Sequence, residues 1–471
     1  MEIHGNVNEK LSEPGILKSV PSNSDLKVDC CFKRDSSQYL DLSNTFHEKT
    51  RDFANQFSHI YGTRLNLMRE EIEKKARIKW GTDIQICRLA QLPDAGGARC
   101  IVIGTLFKQQ ELKPSILKEI SEEFHLIPQP KRTNFVSDSD KLILEDELQR
   151  ITLLSPLDIN QVVTGIVCAV LGHEDKSGKF NVEDYCWAGV INDGPLNSSV
   201  PPISDRFIVF VSGLDLANNA SLLNIQLLVD WLTGFLGDPQ DQSKVAKCVR
   251  LVIAGNSFQS GLEQKKDAKV AKTASIDNSS DIKSVADFFD DILFQLLQFL
   301  DIDLMAGEFD PTNHILPQRP LHYCMFPKAS NFENLNGVSN PYSCNIDGRI
   351  VTGSSGQPID DIYRYSNLSD PIEVLKKTLE WGHLAPTAPD TLLCYPFIDK
   401  DPFIMTSCPD IYFAGNQEMF QTKLVDYDNG NGDIHKVRLI SVPSFHRTST
   451  CAVVNLTTLD CYPISFTVTS Q

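Results

Sequence analysis

A pattern that recurs four times after residue 205 constrains this chain most: a short apolar run that stops at a glycine and gives way to small polar or acidic residues. Phe207 to Val211 runs into Ser212, Gly213, Leu214 and Asp215, and Val249 to Ala254 into Gly255 and Asn256, with Gln259 just beyond. Ile302 to Ala306 runs into Gly307, Glu308, Phe309 and Asp310, and Ile411 to Ala414 into Gly415, Asn416, Gln417 and Glu418. Continuous apolar runs of this length are strands covered on both faces. Between them, apolar residues at helical spacing follow a Ser221 cap, from Leu222 to Phe235 with Gly237 as the stop, and follow Ser284, from Val285 to Leu300. Strand, helix, strand points to a parallel α/β sheet, in which the loops at the carboxyl ends of the strands face a crevice. Farther on, Gly353 to Gly356 reads as a tight turn, and Val437 to Val442, Cys451 to Leu456 and Ile464 to Val468 alternate like antiparallel strands. Residues 205–471 are therefore expected to fold as one α/β sandwich.

Upstream the pattern changes. Gly194, Pro195, Pro201 and Pro202 break both periodicities and mark residues 193–204 as a linker. Over residues 82–192 five strands are expected, at Ile84 to Leu92, Arg99 to Phe107, Leu142 to Leu154, Val162 to Leu171 and Phe180 to Val190. Turns at Pro93 to Gly97 and Glu174 to Gly178 would close hairpins, and a short helix over Pro114 to Phe124 is inserted. Five strands with one helix fit a small closed barrel of the OB-fold type. Such barrels grip single strands through aromatics on a basic groove, but here the aromatics reduce to Phe107, Phe180, Tyr185 and Trp187, which favours protein docking over DNA contact. Residues 41–81 carry Phe53, Phe57, Ile60, Tyr61, Met68, Ile72 and Ala76 at helical spacing opposite Glu70, Glu71, Lys74 and Lys75, an amphipathic helix bent near Gly62 and stopping at Gly81. Residues 1–40 have too few large apolar groups to hold a fold and read as a flexible tail.

The totals narrow the function. A chain of 471 residues suits two or three domains. A net charge of −17 argues against a protein that grips nucleic acid by itself, and the one basic cluster, Lys265, Lys266, Lys269 and Lys272, lies in a Ser- and Asn-rich loop that reads as solvated surface. The cysteines number thirteen and never fall as Cys-x-x-Cys, so a reducing compartment is expected and a zinc knuckle is not. No window approaches the roughly 18–20 apolar residues of a membrane span.

The order and spacing of the four strand ends resemble the calcineurin-like metallophosphoesterases. Enzymes of that group carry Asp-x-His, Gly-Asp-x-x-Asp, Gly-Asn-His-Asp/Glu and Gly-His-x-His in these loops, because two metal ions about 3.5–4 Å apart need imidazoles and a bridging carboxylate. Beside that pattern Gly213 and Asp215 stand for Asp and His, Asn256 and Gln259 for the two aspartates, Glu308 and Phe309 for Asn and His, and Asn416 and Glu418 for the last two histidines; Asp310 alone matches. No catalytic residue, metal centre or cofactor is expected. Asp215, Glu308, Asp310 and Glu418 offer an all-oxygen alternative for a single hard cation, yet each also suits a turn or the first turn of a helix.

A barrel followed by a phosphoesterase-like domain without its ligands resembles the B-subunits of replicative DNA polymerases, and within them the delta branch. The resemblance runs from about residue 40 to the end. It is carried by Gly307 to Asn313 (GEFDPTN), Leu316 to His322 (LPQRPLH), Cys324 to Pro327 (CMFP), Ser355 to Gln357 (SGQ), Ala388 to Leu392 (APDTL) and Asp401 to Phe403 (DPF). Val182 to Cys186 in the barrel and His59 to Leu65 in the first helix extend it. It implies a nuclear, non-enzymatic subunit in replication and repair. Members of the delta branch bind the cysteine-rich C-terminal module of the catalytic subunit of DNA polymerase delta and, on another face, the third subunit that tethers the complex to the sliding clamp. Contact with DNA would be weak or indirect. The alternative is a metal-dependent phosphodiesterase or 3′–5′ exonuclease subunit, as in archaeal relatives that keep the His and Asp ligands.

Overall fold

The computed structural model describes residues 32–47, 53–93, 96–114, 132–154, 156–191, 204–218, 222–259, 278–428 and 434–467. In chain order these form β1 (Tyr39–Asp41), α1 (Ser58–Trp80), β2 (Ile86–Cys87), β3 (Cys100–Gln109), β4 (Lys141–Glu145), β5 (Arg150–Leu154), β6 (Val167–Glu174) and β7 (Phe180–Trp187). Beyond the expected linker come β8 (Phe207–Val211), α2 (Leu222–Thr233), α3 (Pro239–Val245), β9 (Cys248–Ala254), α4 (Asn278–Leu297), β10 (Asp301–Met305), β11 (Leu335–Val338), β12 (Tyr342–Ile346) and β13 (Arg349–Ser354). The chain ends with α5 (Gln357–Tyr365), α6 (Pro371–Trp381), β14 (Ile411–Gln417), β15 (Gln421–Asp428), β16 (Ile434–Pro443), α7 (Phe445–Thr448), β17 (Thr450–Asn455) and β18 (Cys461–Ser465).

The strands β3, β4, β5, β7 and β6 pair in that order, and β6 returns to β3, so the sheet closes on itself. The third and fifth of these strands in chain order, β5 and β7, run parallel while the other pairs run antiparallel, which is the OB-fold barrel. α1 lays Leu65, Met68, Ile72 and Ala76 on its outside, against Ile101, Ile103, Val167, Ala169 and Leu171.

Two six-stranded sheets form the second unit, in the orders β11-β10-β9-β8-β17-β18 and β1-β12-β13-β14-β16-β15. Ile208, Phe210, Val252 and Met305 of the first face Cys344, Val351, Phe413 and Ile440 of the second, and the rings of Phe210 and Phe413 meet at 4.9 Å. The alternate residues, Val209, Leu251, Ile253 and Leu304, pack on α2 and α4. Both sides of these strands are thus covered, which is why they read as continuous apolar runs. The outer face of the second sheet, with Tyr412 and Leu439, is covered by α5, α6 and the barrel.

Several expectations shift. The boundary at residue 40 falls inside β1, which pairs with the edge of β12, Tyr39 opposite Ile346. The first helix starts only at Ser58 and continues through Gly62, leaving Phe53 and Phe57 exposed; Gly81 stops it, its N–H donating to the Arg77 carbonyl at 2.9 Å. The strand expected over Ile84 to Leu92 shrinks to β2, parallel to β3, so the turn at Pro93 to Gly97 joins no hairpin. A 3₁₀ turn at Leu89–Gln91 replaces its second half, since Gln91 Oε1 accepts the Arg88 N–H and Asp146 Oδ2 the Leu89 N–H. Asp146 also divides the strand expected over Leu142 to Leu154 into β4 and β5, its Oδ1 accepting the N–H groups of Leu148 and Gln149. Gly353 and Ser354 belong to β13, and Gly356, at φ 109°, caps α5. The helix expected at Pro114 to Phe124, the Ser221 cap, the lysine cluster and nearly all of the linker lie outside the described residues. No described helix is long and apolar enough to cross a membrane.

Candidate functional site: the cleft at the strand ends

β8, β9, β10 and β14 end at one side of the sandwich, and their loops meet there. Each turns sharply: Gly213 and Gly255 have φ of 61° and 82°, and Asp215, Asn256 and Asn416 sit at φ 49°, 53° and 58°. Asp and Asn are the side chains that tolerate this left-handed backbone, so the residue types at these positions already have a conformational reason. The loops after β8 and β9 are zipped by Gly213 N–H to Gly255 O at 2.8 Å and Leu216 N–H to Ser257 O at 3.0 Å.

Asp310 is buried beneath this junction. Its Oδ1 accepts from the Phe258 N–H at 2.9 Å and its Oδ2 from the Gly307 N–H at 2.8 Å, so it ties two loops together. Burial pushes its carboxyl up to about 6 against the pull of those backbone donors. Asn256 Oδ1 accepts the Phe309 N–H at 3.1 Å. Gly307 leaves room for this: a Cβ there would collide with Asn256 and stand 2.8 Å from Ser355 Oγ. Asn416 Nδ2 donates to the carbonyls of Ala254 and Ser355 at 3.1 and 2.8 Å and to Ser355 Oγ at 2.9 Å.

Under the loop after β10 lies a network of side-chain amides that sequence reasoning missed. Gln318 donates to the carbonyls of Gly307 (3.0 Å) and Asn313 (2.9 Å), while its own oxygen accepts from Asn340 (2.7 Å) and Gln357 (2.8 Å). Asn340 Oδ1 accepts the Ser355 N–H at 3.0 Å. Three of the sequence motifs, around Gly307, Gln318 and Gln357, are thus one hydrogen-bonded unit.

The loops enclose a cavity of about 120 Å³ lined by Asn256, Glu308, Phe309, Asp360, Asn416 and His446 among others. Of the other strand-end residues, Gly213, Asp215 and Asp310 are buried and Gln259 and Glu418 are exposed, and none of the five lines it. Asp360 and His446 carried no signal in the sequence, the first on a helix and the second on the single turn α7. Burial and the charge of Glu308 push the Asp360 carboxyl up to about 7, with Arg364 and Gln417 opposing. Among the described residues no three His, Cys, Asp or Glu side chains are grouped to hold a metal ion.

A second junction holds the barrel on the sandwich. Arg64 of α1, wholly buried, donates Nε to Asp401 Oδ2 at 2.6 Å and its Nη atoms to the carbonyls of Gly165 (2.9 Å), Pro386 (3.0 Å) and Ala388 (2.6 Å). His383 Nε2 lies 2.9 Å from the same Asp401 oxygen.

A barrel and a two-sheet sandwich in this order, joined at a buried ion pair, coincide with two known families. Residues 208–422 match the DNA polymerase alpha/epsilon B-subunit family, so the class is that of the polymerase B-subunits. Residues 56–185 match the DNA polymerase delta subunit OB-fold domain. The chain is 41% identical over 437 residues to DNA polymerase delta subunit 2 of Drosophila melanogaster, covering 92% of this chain and 99% of the relative. It is 39% identical to the DNA polymerase delta small subunit of Oryza sativa subsp. japonica, over 92% of this chain and 98% of that one, and 29% identical to that of Saccharomyces cerevisiae, over 89% and 91%. The chain belongs to the DNA polymerase delta small-subunit family, and its function is that of an accessory subunit of that polymerase.

Proposed function

We propose that the chain is a non-catalytic scaffold of the DNA polymerase delta holoenzyme. It bridges the cysteine-rich C-terminal module of the catalytic subunit to the third, clamp-tethering subunit, in nuclear replication and repair. The observation that carries the non-catalytic part is that three of the strand-end side chains, Asp310, Asn416 and Asn256, are turned to the protein's own backbone. Both oxygens of Asp310 accept main-chain N–H groups, the amide of Asn416 binds two carbonyls, and Asn256 holds the Phe309 N–H. A dinuclear hydrolase instead needs carboxylates and imidazoles aimed at shared ions. The bridging part rests on family membership and on the buried junction of barrel and sandwich at Arg64.

Co-expression with the C-terminal module of the catalytic subunit, followed by size exclusion, is expected to give a stable complex; failure to form one would overturn the bridging role. The same complex is expected to show no Mn²⁺-dependent hydrolysis of a phosphodiester. One observation favours the hydrolase alternative, the pairing of Glu308 with the raised carboxyl of Asp360 in the cavity. Hydrolysis that disappears on Asp310→Ala or Asp360→Asn would therefore establish an enzyme.

A further inference from the structure

The geometry points to a site for a single zinc-type divalent cation on the wall of the cleft, formed by His446 Nε2, Asp215 Oδ2 and the side-chain oxygen of Asn416. His446 stands on α7, where its own N–H and that of Phe445 donate to the carbonyls of Gly213 (2.9 Å) and Ser212 (2.7 Å). Its Nδ1 is 3.2 Å from the Gly213 carbonyl. A carbonyl can only accept, so Nδ1 carries the proton and Nε2 presents its lone pair. That lone pair is buried and has no hydrogen-bond partner, although the His446 side chain is only 6% exposed. An imidazole anchored through Nδ1–H to a backbone carbonyl, with a bare Nε2, is the arrangement by which proteins hold a metal-binding histidine.

Asn416 supplies an independent observation. Two of the groups bonded to Nδ2, the carbonyls of Ala254 and Ser355, accept only, which fixes the amide orientation and turns Oδ1 the other way. Asn416 Oδ1 is also buried without a partner, and a Cβ built on Gly213 would lie 2.8 Å from it. It therefore gathers around the same glycine whose carbonyl anchors His446. Asp215 Oδ2 lies 4.0 Å from His446 Nε2, too far for a hydrogen bond. Donors at the usual zinc distances of about 2.0–2.2 Å are roughly 3.4 Å apart in a tetrahedron, so closure by about half an ångström seats an ion between them. An imidazole, a carboxylate and an amide oxygen form a mixed nitrogen and oxygen set, suited to zinc above magnesium or calcium. The adjoining cavity, about 120 Å³, has room for about four waters to complete the coordination.

The site is distinct from a dinuclear centre: it needs neither Gln259, Phe309 nor Glu418, and His446 stands outside the four strand-end loops. It also stands or falls independently of the scaffold role.

The test is to strip the full-length chain with a chelator, titrate it with Zn²⁺ and record X-ray absorption at the zinc edge. The expected result is one Zn²⁺ per chain, a first shell of nitrogen and oxygen with imidazole scattering, and affinity lowered about tenfold or more by His446→Ala and by Asp215→Asn. Exposed His314→Ala is expected to leave it unchanged. Zn²⁺ should raise the melting temperature of the wild type and not of His446→Ala, the two melting alike in chelator. Sulfur in the first shell, affinity indifferent to His446, or no stoichiometric binding would overturn the site. Should His446→Ala fail to fold, the imidazole signature in the wild type and the Asp215→Asn titration still decide.

Discussion

At the scale of single residues, two buried aspartates of this protein respond to pH in opposite ways. Burial raises the Asp310 carboxyl to about 6, so the folded state binds its proton more tightly than the unfolded chain. The stability it contributes is present below its unfolded value near 3.9 and is lost as the pH rises through about 6. Burial would raise Asp401 as well, but Arg64 and His383 outweigh it and hold that carboxyl below the usual range. Burial and Arg64 push His383 down to about 4 despite the neighbouring Asp401. Both members of this pair contribute stability that is lost on acidification, His383 between about 6.5 and 4 and Asp401 below its unfolded value. Between pH 6 and 4 the Asp310 term thus masks part of the loss. Asp310→Asn is expected to cost about 1–3 kcal/mol at neutral pH, because the amide turns a donor toward one of two backbone N–H groups. It is also expected to steepen the loss of stability from pH 6 to 4. Urea denaturation across that range measures both, and a slope equal to the wild type's would show that Asp310 titrates as an exposed carboxylate.

At the scale of elements, α1 shows what periodicity reveals and what it hides. Met68, Ile72 and Ala76 mark the buried stripe in the sequence, and all three are buried. Arg64 lies on the same stripe but reads as solvent-facing, because an arginine gives no sign that a carboxylate 337 positions away will meet it. β8, β9, β10 and β14 are legible because both faces are covered, whereas β15, at the edge of its sheet, opens on three polar residues, Gln421, Thr422 and Lys423, and escapes. The candidate site divides in the same way. Its glycines and Asx turns are local and readable, but Gln318, Asn340 and Gln357, which hold those turns, come from separate segments that only the folded chain brings together. Arg64→Met tests the hub that holds α1. It leaves the buried Asp401 without its guanidinium, with only His383 and the Phe403 N–H beside it, and three carbonyls without the Arg64 donors, a loss of about 3–5 kcal/mol. Trp187 of the barrel and Trp381 of α6, whose rings lie 6.4 Å apart, report the junction by fluorescence. The expected outcome is a lower urea midpoint, with the barrel parting from the sandwich before the sandwich unfolds. An unchanged midpoint would show that apolar packing alone holds the two units.

At the scale of the whole molecule, residues 32–47 bind both sheets of the sandwich and the loop that carries Lys400. Arg34 donates to the carbonyls of Cys248 and Leu232, and the Asp35 N–H to that of Ala246 at 3.0 Å, so the strap begins on the first sheet and its helices. β1 then extends the second sheet, and Ser43 exchanges hydrogen bonds with Ser343 at 2.9 and 3.1 Å. Lys400 reaches back to the carbonyls of Thr45 and His47 at 3.3 and 3.5 Å. Between the sheets the Tyr39 ring covers the Arg250 guanidinium at 4.1 Å, and Arg250 is itself bonded to Asp303 at 2.6 Å. Removing residues 1–42 uncovers a buried cation and bares the β12 edge. A desolvated cation–π contact of about 2 kcal/mol and two or more net hydrogen bonds of about 1 kcal/mol each bring the expected loss to about 4 kcal/mol or more. An unpaired edge also templates pairing with another chain, so the truncated protein is expected to self-associate as its concentration rises. Urea denaturation and size exclusion measure the two effects separately. Tyr39→Ala in the full chain should reproduce part of the stability loss without the association, because it removes the ring and leaves the strand. Equal stability of the truncated and full-length chains would mean that Arg250 is held by Asp301 and Asp303 alone and that the strap adds nothing to the sandwich.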